Sequence, residues 1–478
     1  MPAHSAQTDQ PATDPPRNRQ GAAPSRAGVF LSPRMWFLPL LVLLLLGGAG
    51  TALYIGGLGS PGDHLKHFPV AVVNQDAGAD TPQGGRENLG QNITDQMQQG
   101  FSGSDKIDLR VVSWDEAKEQ MGKGQIHGTV VIPESFSADA LAMVSGALSD
   151  SEVSRPEITV YTNPLAGPLA SSLATSALDP AVEQANKGLG EQLTDSAREA
   201  QGQAQAQLQR ELVRLGADLP AQLQQQVAPK VTGTSADLLA DPIDVRSAVY
   251  NPPAEGTALG MGAFFYSVLL MVVGLSGTVA IHEEVDARLG VAPVELGPRF
   301  SLGLPLQPAR WRTYLLKWGL VVLGALPTAG LMMWVASAVG MPIPHGGWFF
   351  LTTWLSIATV SAVTMALITL FGSVGMVLSL IYVVFMGLPA ASGVVPLEAL
   401  PGFFTFIARG EPLYQMTMAN RAVLYFNADS DAGVQSGIIG MLIIAAIAVV
   451  LAMICAAVYD KAFGYRAARP APTGTRAA

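Results

Sequence analysis

The sequence predicts a polytopic α-helical membrane protein with six transmembrane helices and an α/β extracytoplasmic domain inserted between helices 1 and 2. Two observations carry this. A single apolar run, Met35 to Tyr54, precedes about two hundred polar residues, and five more apolar runs follow between Ala258 and Tyr459. The Lys and Arg residues gather beside alternate ends of those runs, as positively charged loops do on the cytoplasmic side.

Residues 1–34 are rich in Pro, Ala, Gly, Gln and Arg without apolar periodicity, so they read as a disordered cytoplasmic tail. Met35 to Tyr54 (35–54) is the first span. A cleaved signal peptide is the competing reading, but the apolar core is too long and lacks an Ala-x-Ala site near its end. The remaining spans are Ala258 to Ile281 (258–281), Tyr314 to Val339, Trp348 to Leu370, Val374 to Pro396 with a break at Pro389, and Gly437 to Tyr459. Each is long enough to cross roughly 30 Å of hydrocarbon at about 1.5 Å per residue.

Orientation follows from the short segments. Arg17, Arg19, Arg26 and Arg34 precede span one; Arg288, Arg299, Arg310 and Arg312 lie in the loop 282–313; Lys461, Arg466, Arg469 and Arg476 lie in the tail 460–478. Gly340 to Gly347 has no basic residue, and the hairpin 397–436 has only Arg409 and Arg421. Both termini are therefore expected in the cytoplasm and residues 55–257 outside a plasma membrane, in contact with its lipids.

The charge of the chain makes sense in pieces. Ser60 to Gly256 carries 13 Lys and Arg against 26 Asp and Glu, a net −13, so the whole chain's −9 comes from the external part. An acidic exterior argues against nucleic acid as a partner. The one cysteine, Cys455, lies in the last span, so the external domain holds no disulfide, and at its length it is expected to fold alone.

Within that domain Phe68 to Asn74 is a continuous apolar run suited to a buried strand. A helix-compatible stretch, Arg86 to Gln99, follows, then the alternating strand Ile107 to Val111. Ser113 and Glu116 have the spacing of a capping box for a helix to Met121. Ile126 to Ile132 is a strand stopped by Pro133, Ser137 to Leu148 a helix, and Glu157 to Thr162 a strand. Such alternation indicates an α/β sheet. In residues 192–215 an apolar stripe, Ala197, Ala200, Ala204, Leu208, Leu212 and Leu215, predicts a long helix that either lies on its own domain or self-associates.

Phe68-Pro-Val-Ala-Val-Val-Asn-Gln-Asp-Ala-Gly78 resembles the start of the external domain in the YhgE/phage infection protein (Pip) family and related type-2 ABC exporter permeases. Gly128-Thr-Val-Val-Ile-Pro-Glu-Ser-Phe-Ser137 resembles their strand-then-Pro-x-x-Phe-Ser element. Leu400-Pro-Gly-Phe-Phe404, Glu411-Pro-Leu-Tyr414 and Asn420-Arg-Ala422 are similar to their external hairpin. The resemblance implies an ABC transporter permease half: an exporter of a lipophilic or amphipathic compound, paired with a second permease half as a homo- or heterodimer. It equally covers non-transporting envelope proteins, secretion accessories or phage receptors, that act through the external domain.

No Gly-x4-Gly-Lys-Ser/Thr loop is present, so the chain is expected to bind no cofactor and to reach ATP only through a separate ATPase subunit on the cytoplasmic face. In related permeases a coupling helix follows span two; Glu283, Glu284, Asp286 and Arg288 stand there, or else merely stop the span at the interface. Candidate hinge or pathway residues are Gly260 and Gly262 at the start of span two, Pro327 in span three, Pro389 in span five, and Thr352, Ser356 and Thr359 in span four. Hydroxyls at that spacing either line a path or let helices pack closely. Lys317 sits one turn inside span three, where it is expected to snorkel, and the spans otherwise lack formal charge, which argues against a carboxylate relay. No Gly-x-Ser-x-Gly or His-Glu-x-x-His motif is present, His64 and His67 have no third ligand nearby, and neither an enzyme nor a metal site is expected.

Overall fold

The computed structural model describes residues 41, 44, 61–81, 85–149, 154–214, 233–303, 306 and 308–465. The chain divides into two units, Met1–Thr51 and Ala52–Ala478. In the first, Leu41 and Leu44 are described, both helical and exposed. The rest of the predicted first span, the N-terminal tail and residues 466–478 lie outside the described residues.

The second unit opens with an α/β domain. Strands β1 (Phe68–Asn74), β2 (Ala79–Asp80) and β3 (Arg86–Glu87) are followed by helix α1 (Leu89–Ser102), β4 (Ile107–Val111) and α2 (Trp114–Gly122). Then come β5 (Gly128–Ile132), α3 (Phe136–Ser149), β6 (Glu157–Thr162), α4 (Pro168–Arg214), α5 (Gly233–Ala240) and β7 (Asp244–Val249). The sheet order is β4-β1-β5-β6-β7; β1 is parallel to β4 and β5, β6 is antiparallel to β5, and β7 is parallel to β6.

The continuous apolar run of β1 is explained by its central place. Phe68, Val70 and Val72 bury into the face covered by α1, α3 and α4, while Ala71 and Val73 meet Ala117 and Met121 of α2 on the other. Asp76, just past β1, gathers the chain around it: its carboxylate accepts from Gly78 N, Gly90 N and Ser137 N, and from Ser137 Oγ at 2.5 Å. Ser137 Oγ in turn accepts from Leu89 N. The C-terminal end of β1 beside β5 is thus filled by the domain's own carboxylate, set against the N-termini of α1 and α3.

Ser113 Oγ accepts from Glu116 N at 3.3 Å, as the capping spacing predicts. Two elements depart from expectation. The predicted helix over 192–215 is the far half of α4, which starts at Pro168 and carries Pro180 inside it; its buried residues end at Ala197, and Leu215 is outside the described residues. Strand β7 carried no apolar pattern because it is an exposed edge.

Five helical segments are long and apolar enough to cross a membrane, among the described residues. They are α6 (Gly262–Arg288), α7 (Arg310–Ala338), α8 (Gly346–Phe371), α9 (Ser373–Ala390) and a last one, Ser430–Phe463, whose regular part is α12 (Gln435–Phe463). A hairpin, β8 (Val294–Leu296) with β9 (Arg299–Ser301), joins α6 to α7. Two short helices, α10 (Gly402–Ala408) and α11 (Pro412–Tyr425), lie between α9 and the last span. Span four, α8, is the most buried and packs against α6, α7, α11 and α12.

The α/β domain does not close its core with its own residues. Ala390, Val395, Ala399, Leu400, Phe404, Ile407 and Ala408 join the same apolar cluster as Phe68, Val130 and Leu178. Against the expectation of an independently folding domain, part of one continuous core comes from the segment after span five.

Candidate functional site

Span five loses regular geometry before it ends. Leu380–Met386 is wound as a π-helix, Gly387–Ala390 returns to α, and the helix stops one residue past the buried Pro389, which has no N–H to offer the preceding turn. Ser392 follows with φ 53°, and Gly393 lies against the ring of Phe264 on α6, where no side chain would fit. A break of this kind persists only when packed against protein or a water-filled cavity.

Here it is packed. The Arg421 guanidinium of α11 donates to Ser392 O at 3.4 Å and to Ala166 O of the α/β domain at 2.9 Å. Tyr425, one turn on, accepts from Ala263 N at 3.0 Å and donates to Thr257 O at 3.2 Å, which holds the start of span two. Beside them His127 is buried and stacked on Phe68 at 4.8 Å; burial, and secondarily the charge of Arg421, pushes its pKa down to about 3. Lys66 N donates to Glu398 O at 2.8 Å, tying the entry to β1 into the same junction.

Gly260 and Gly262 stand in this junction as close contacts. Gly260 has φ 89°, and a Cβ there would lie 2.5 Å from Pro164 O; on Gly262 it would lie 2.9 Å from the Tyr425 hydroxyl and 3.0 Å from Thr257 O. Glu411 is fully buried as the N-cap of α11, accepting from Tyr414 N at 2.9 Å.

At the other end of the bundle the predicted loop residues are part of a helix. Span two runs on to Arg288, so Glu283, Glu284, Asp286 and Arg288 occupy its last turns. Glu283 and Arg288 are exposed, and Glu284 pairs with Arg288 at 2.7 Å. Asp286 turns inward. Its carboxylate lies 2.5 Å from Lys317 Nζ of α7 and 3.3 Å from His282 Nε2, and Lys317 Nζ is 3.0 Å from His282 Nδ1. Lys317 therefore does not snorkel: it is 3% exposed and paired. The expectation that the spans carry no buried charge is corrected by the same pair, because a residue 31 positions away neutralises it. Arg310, at the head of α7, is held by Asp460 at 2.6 Å. A cavity of about 60 Å³ opens among His282, Arg310, Tyr314 and Lys317.

The hydroxyl stripe of span four packs. Thr352, Ser356 and Thr359 are wholly buried; Ser356 Oγ donates to Thr352 O at 2.6 Å and Thr359 Oγ1 to Met441 O of the last span at 3.4 Å. Within this chain they seat α8 against α12. Pro327 lies on the exposed side of α7, which continues through it to Ala338.

A family model described as ABC-2 family transporter protein matches residues 33–455. The chain belongs to that family. The ABC-2 protein also resembles, at 15% identity and a TM-score of 0.20, a solved structure titled "Crystal structure of a domain of a putative ABC type-2 transporter from Thermotoga maritima MSB8", over 38% of this chain and 85% of that one. No curated protein matches it.

Of the sequence-predicted residues, the ABC-2 fold brings Gly260, Gly262 and Pro389 into one junction and Asp286 into another, and leaves Pro327 and the span-four hydroxyls apart from both. Arg421, Tyr425, His127 and Lys317 are the residues whose roles the sequence did not disclose. His282 and Asp286 have i, i+4 spacing on one helix face, and that was the available signal.

Proposed function

We propose that this ABC-2 protein is a permease subunit of the YhgE/phage infection protein type that exports a lipophilic or amphipathic compound, driven by a separate ATPase and working as a pair of permease halves. The chain itself catalyses no reaction. In this reading there are six spans, both termini and the ends of α6 and α7 are cytoplasmic, and the α/β domain is outside, in keeping with the Arg and Lys distribution.

One observation carries the coupling part. Span two is one continuous helix of 27 residues, about 40 Å at 1.5 Å per residue, from the Tyr425 and Thr257 contacts at one end to Glu283–Arg288 at the other. A push on its acidic end is transmitted along a rigid rod to the junction with the broken span, and Asp286 carries part of it sideways into α7 through Lys317.

Purification of the full chain in mild detergent, with partners identified by mass spectrometry, tests this. An ATPase subunit is expected to co-purify, and charge reversal at the exposed Glu283, E283K, is expected to reduce its recovery severalfold. Recovery of secretion components instead, with no ATPase in either sample, would favour an envelope protein acting through the α/β domain.

A further inference from the structure

The Glu411 carboxyl is enclosed on every side, with 0% exposure, and Oε2 accepts from Tyr414 N while Oε1 has no partner among the described residues. The wall over Oε1 is Gly387, where broken span five turns back to α; a Cβ on that glycine would lie 2.5 Å from Oε1 and 2.8 Å from the carboxyl carbon. No cation among the described residues stands in reach to balance a charge. Tyr382 of span five gives its hydroxyl to Gly410 O at 2.5 Å, Leu413 and Tyr414 contribute backbone N–H groups that oppose the effect of burial, Arg409 is exposed, and Arg421 is committed to Ala166 O and Ser392 O. The charged residues of α6 and α12 all lie in their last turns at the other end, and α8 has none.

We propose that Glu411 is a proton-binding site that latches the broken end of span five: protonated, it stays sealed under Gly387, and on release of its proton to water that contact opens. An ionised carboxylate with one unpartnered oxygen and no counter-ion is costly in a dry pocket, so loss of the proton favours the state in which water reaches the carboxylate. Water reaches Oε1 only if α9 and α11 separate. Proton release and opening are therefore one linked event, and acid favours the sealed state. Burial holds the sealed carboxyl at about 8, above the ordinary value of 4.5 that it regains in water. The site goes beyond the export reading and depends on no cargo.

Thiol accessibility in the purified full chain tests it. Ala391, fully buried beside the break, is replaced by Cys in a C455S background, with Glu411 intact or as E411Q, the isosteric mimic of the protonated acid. Comparing the two at the same pH cancels the ionisation of the thiol. The labelling rate with Glu411 intact, divided by the rate in the E411Q variant, is expected to rise more than tenfold between about pH 6 and pH 8 and to level off above that. A ratio that stays flat across this range overturns the proposal. Should E411Q fail to fold, the infrared carbonyl band of a protonated carboxyl in the unmodified chain decides: present at pH 6 and lost above pH 8 supports the site, and absent at pH 6 overturns it.

Discussion

Lys317 Nζ lies 2.5 Å from Asp286 Oδ1, and the two side chains are 3% and 5% exposed. The pair joins the last turns of span two to the second turn of span three, with His282 bridging both. Removing one partner strands the other as a buried charge, which costs about 3–5 kcal/mol, whereas removing both costs far less. D286N and K317M alone are therefore expected to lower the thermal midpoint of the detergent-solubilised protein sharply, and D286L/K317M to recover most of it. Equal midpoints for D286N and wild type would mean that the pair is wet.

Gly262, a candidate hinge at the start of span two, leaves no room for bulk, because a Cβ would already meet the Tyr425 hydroxyl at 2.9 Å and Thr257 O at 3.0 Å. G262L is expected to reduce folded yield, measured by fluorescence-detected size exclusion, by displacing Tyr425 from Ala263 N. P389A leaves the Arg421 and Tyr425 contacts of the junction in place and is the better test of whether the break serves export: cargo resistance should fall while yield holds.

A fragment of residues 62–249 is expected to aggregate. It lacks Val395, Leu400, Phe404 and Ile407, whose apolar surface completes the face formed by Phe68, Val130 and Leu178. Exposed patches of that kind associate. Co-expression with a peptide of residues 390–408 should restore a monodisperse species on size exclusion; a monomeric fragment without the peptide would show that the α/β domain closes by itself.

Burial holds His127 neutral down to about pH 3, while in the unfolded chain it titrates near 6.5. The unfolded state thus binds the extra proton between those values. Stability from this residue is complete above pH 6.5 and is lost as pH falls towards 3, by up to about 1.4 kcal/mol per pH unit. H127F, which keeps a ring stacked on Phe68, is expected to flatten that part of the stability profile relative to wild type. Parallel profiles from pH 6.5 to pH 4 would place the acid sensitivity elsewhere.

What could be read in advance follows from range. The apolar runs of α6 to α9 and α12 are local properties, as are the run of β1 and the Ser113 cap, and all appear where their own residues demand. Strand β7 pairs only with β6 and leaves most of its residues exposed, so nothing in Asp244–Val249 advertised it. The start of α4 was hidden by Pro168 and Pro180, one sitting at the first helical position and the other tolerated inside. Asp286 was singled out for its place after span two, but its partner Lys317 is set by how α6 lies on α7. Arg421 likewise reaches an acceptor 255 positions earlier. Such pairings are properties of packing, not of spacing.

The shared core also dictates an order of birth. By the time β7 leaves the ribosome, the sheet is complete in strands, yet Leu400 and Phe404 have not been made; four spans must be synthesised and inserted first. At 5–20 residues per second the gap lasts roughly eight to thirty seconds. During that interval the polar domain exists with an open apolar flank, so the cell must either shield it or tolerate it, and any mutation that slows insertion of spans two to five lengthens the exposure without touching the domain at all.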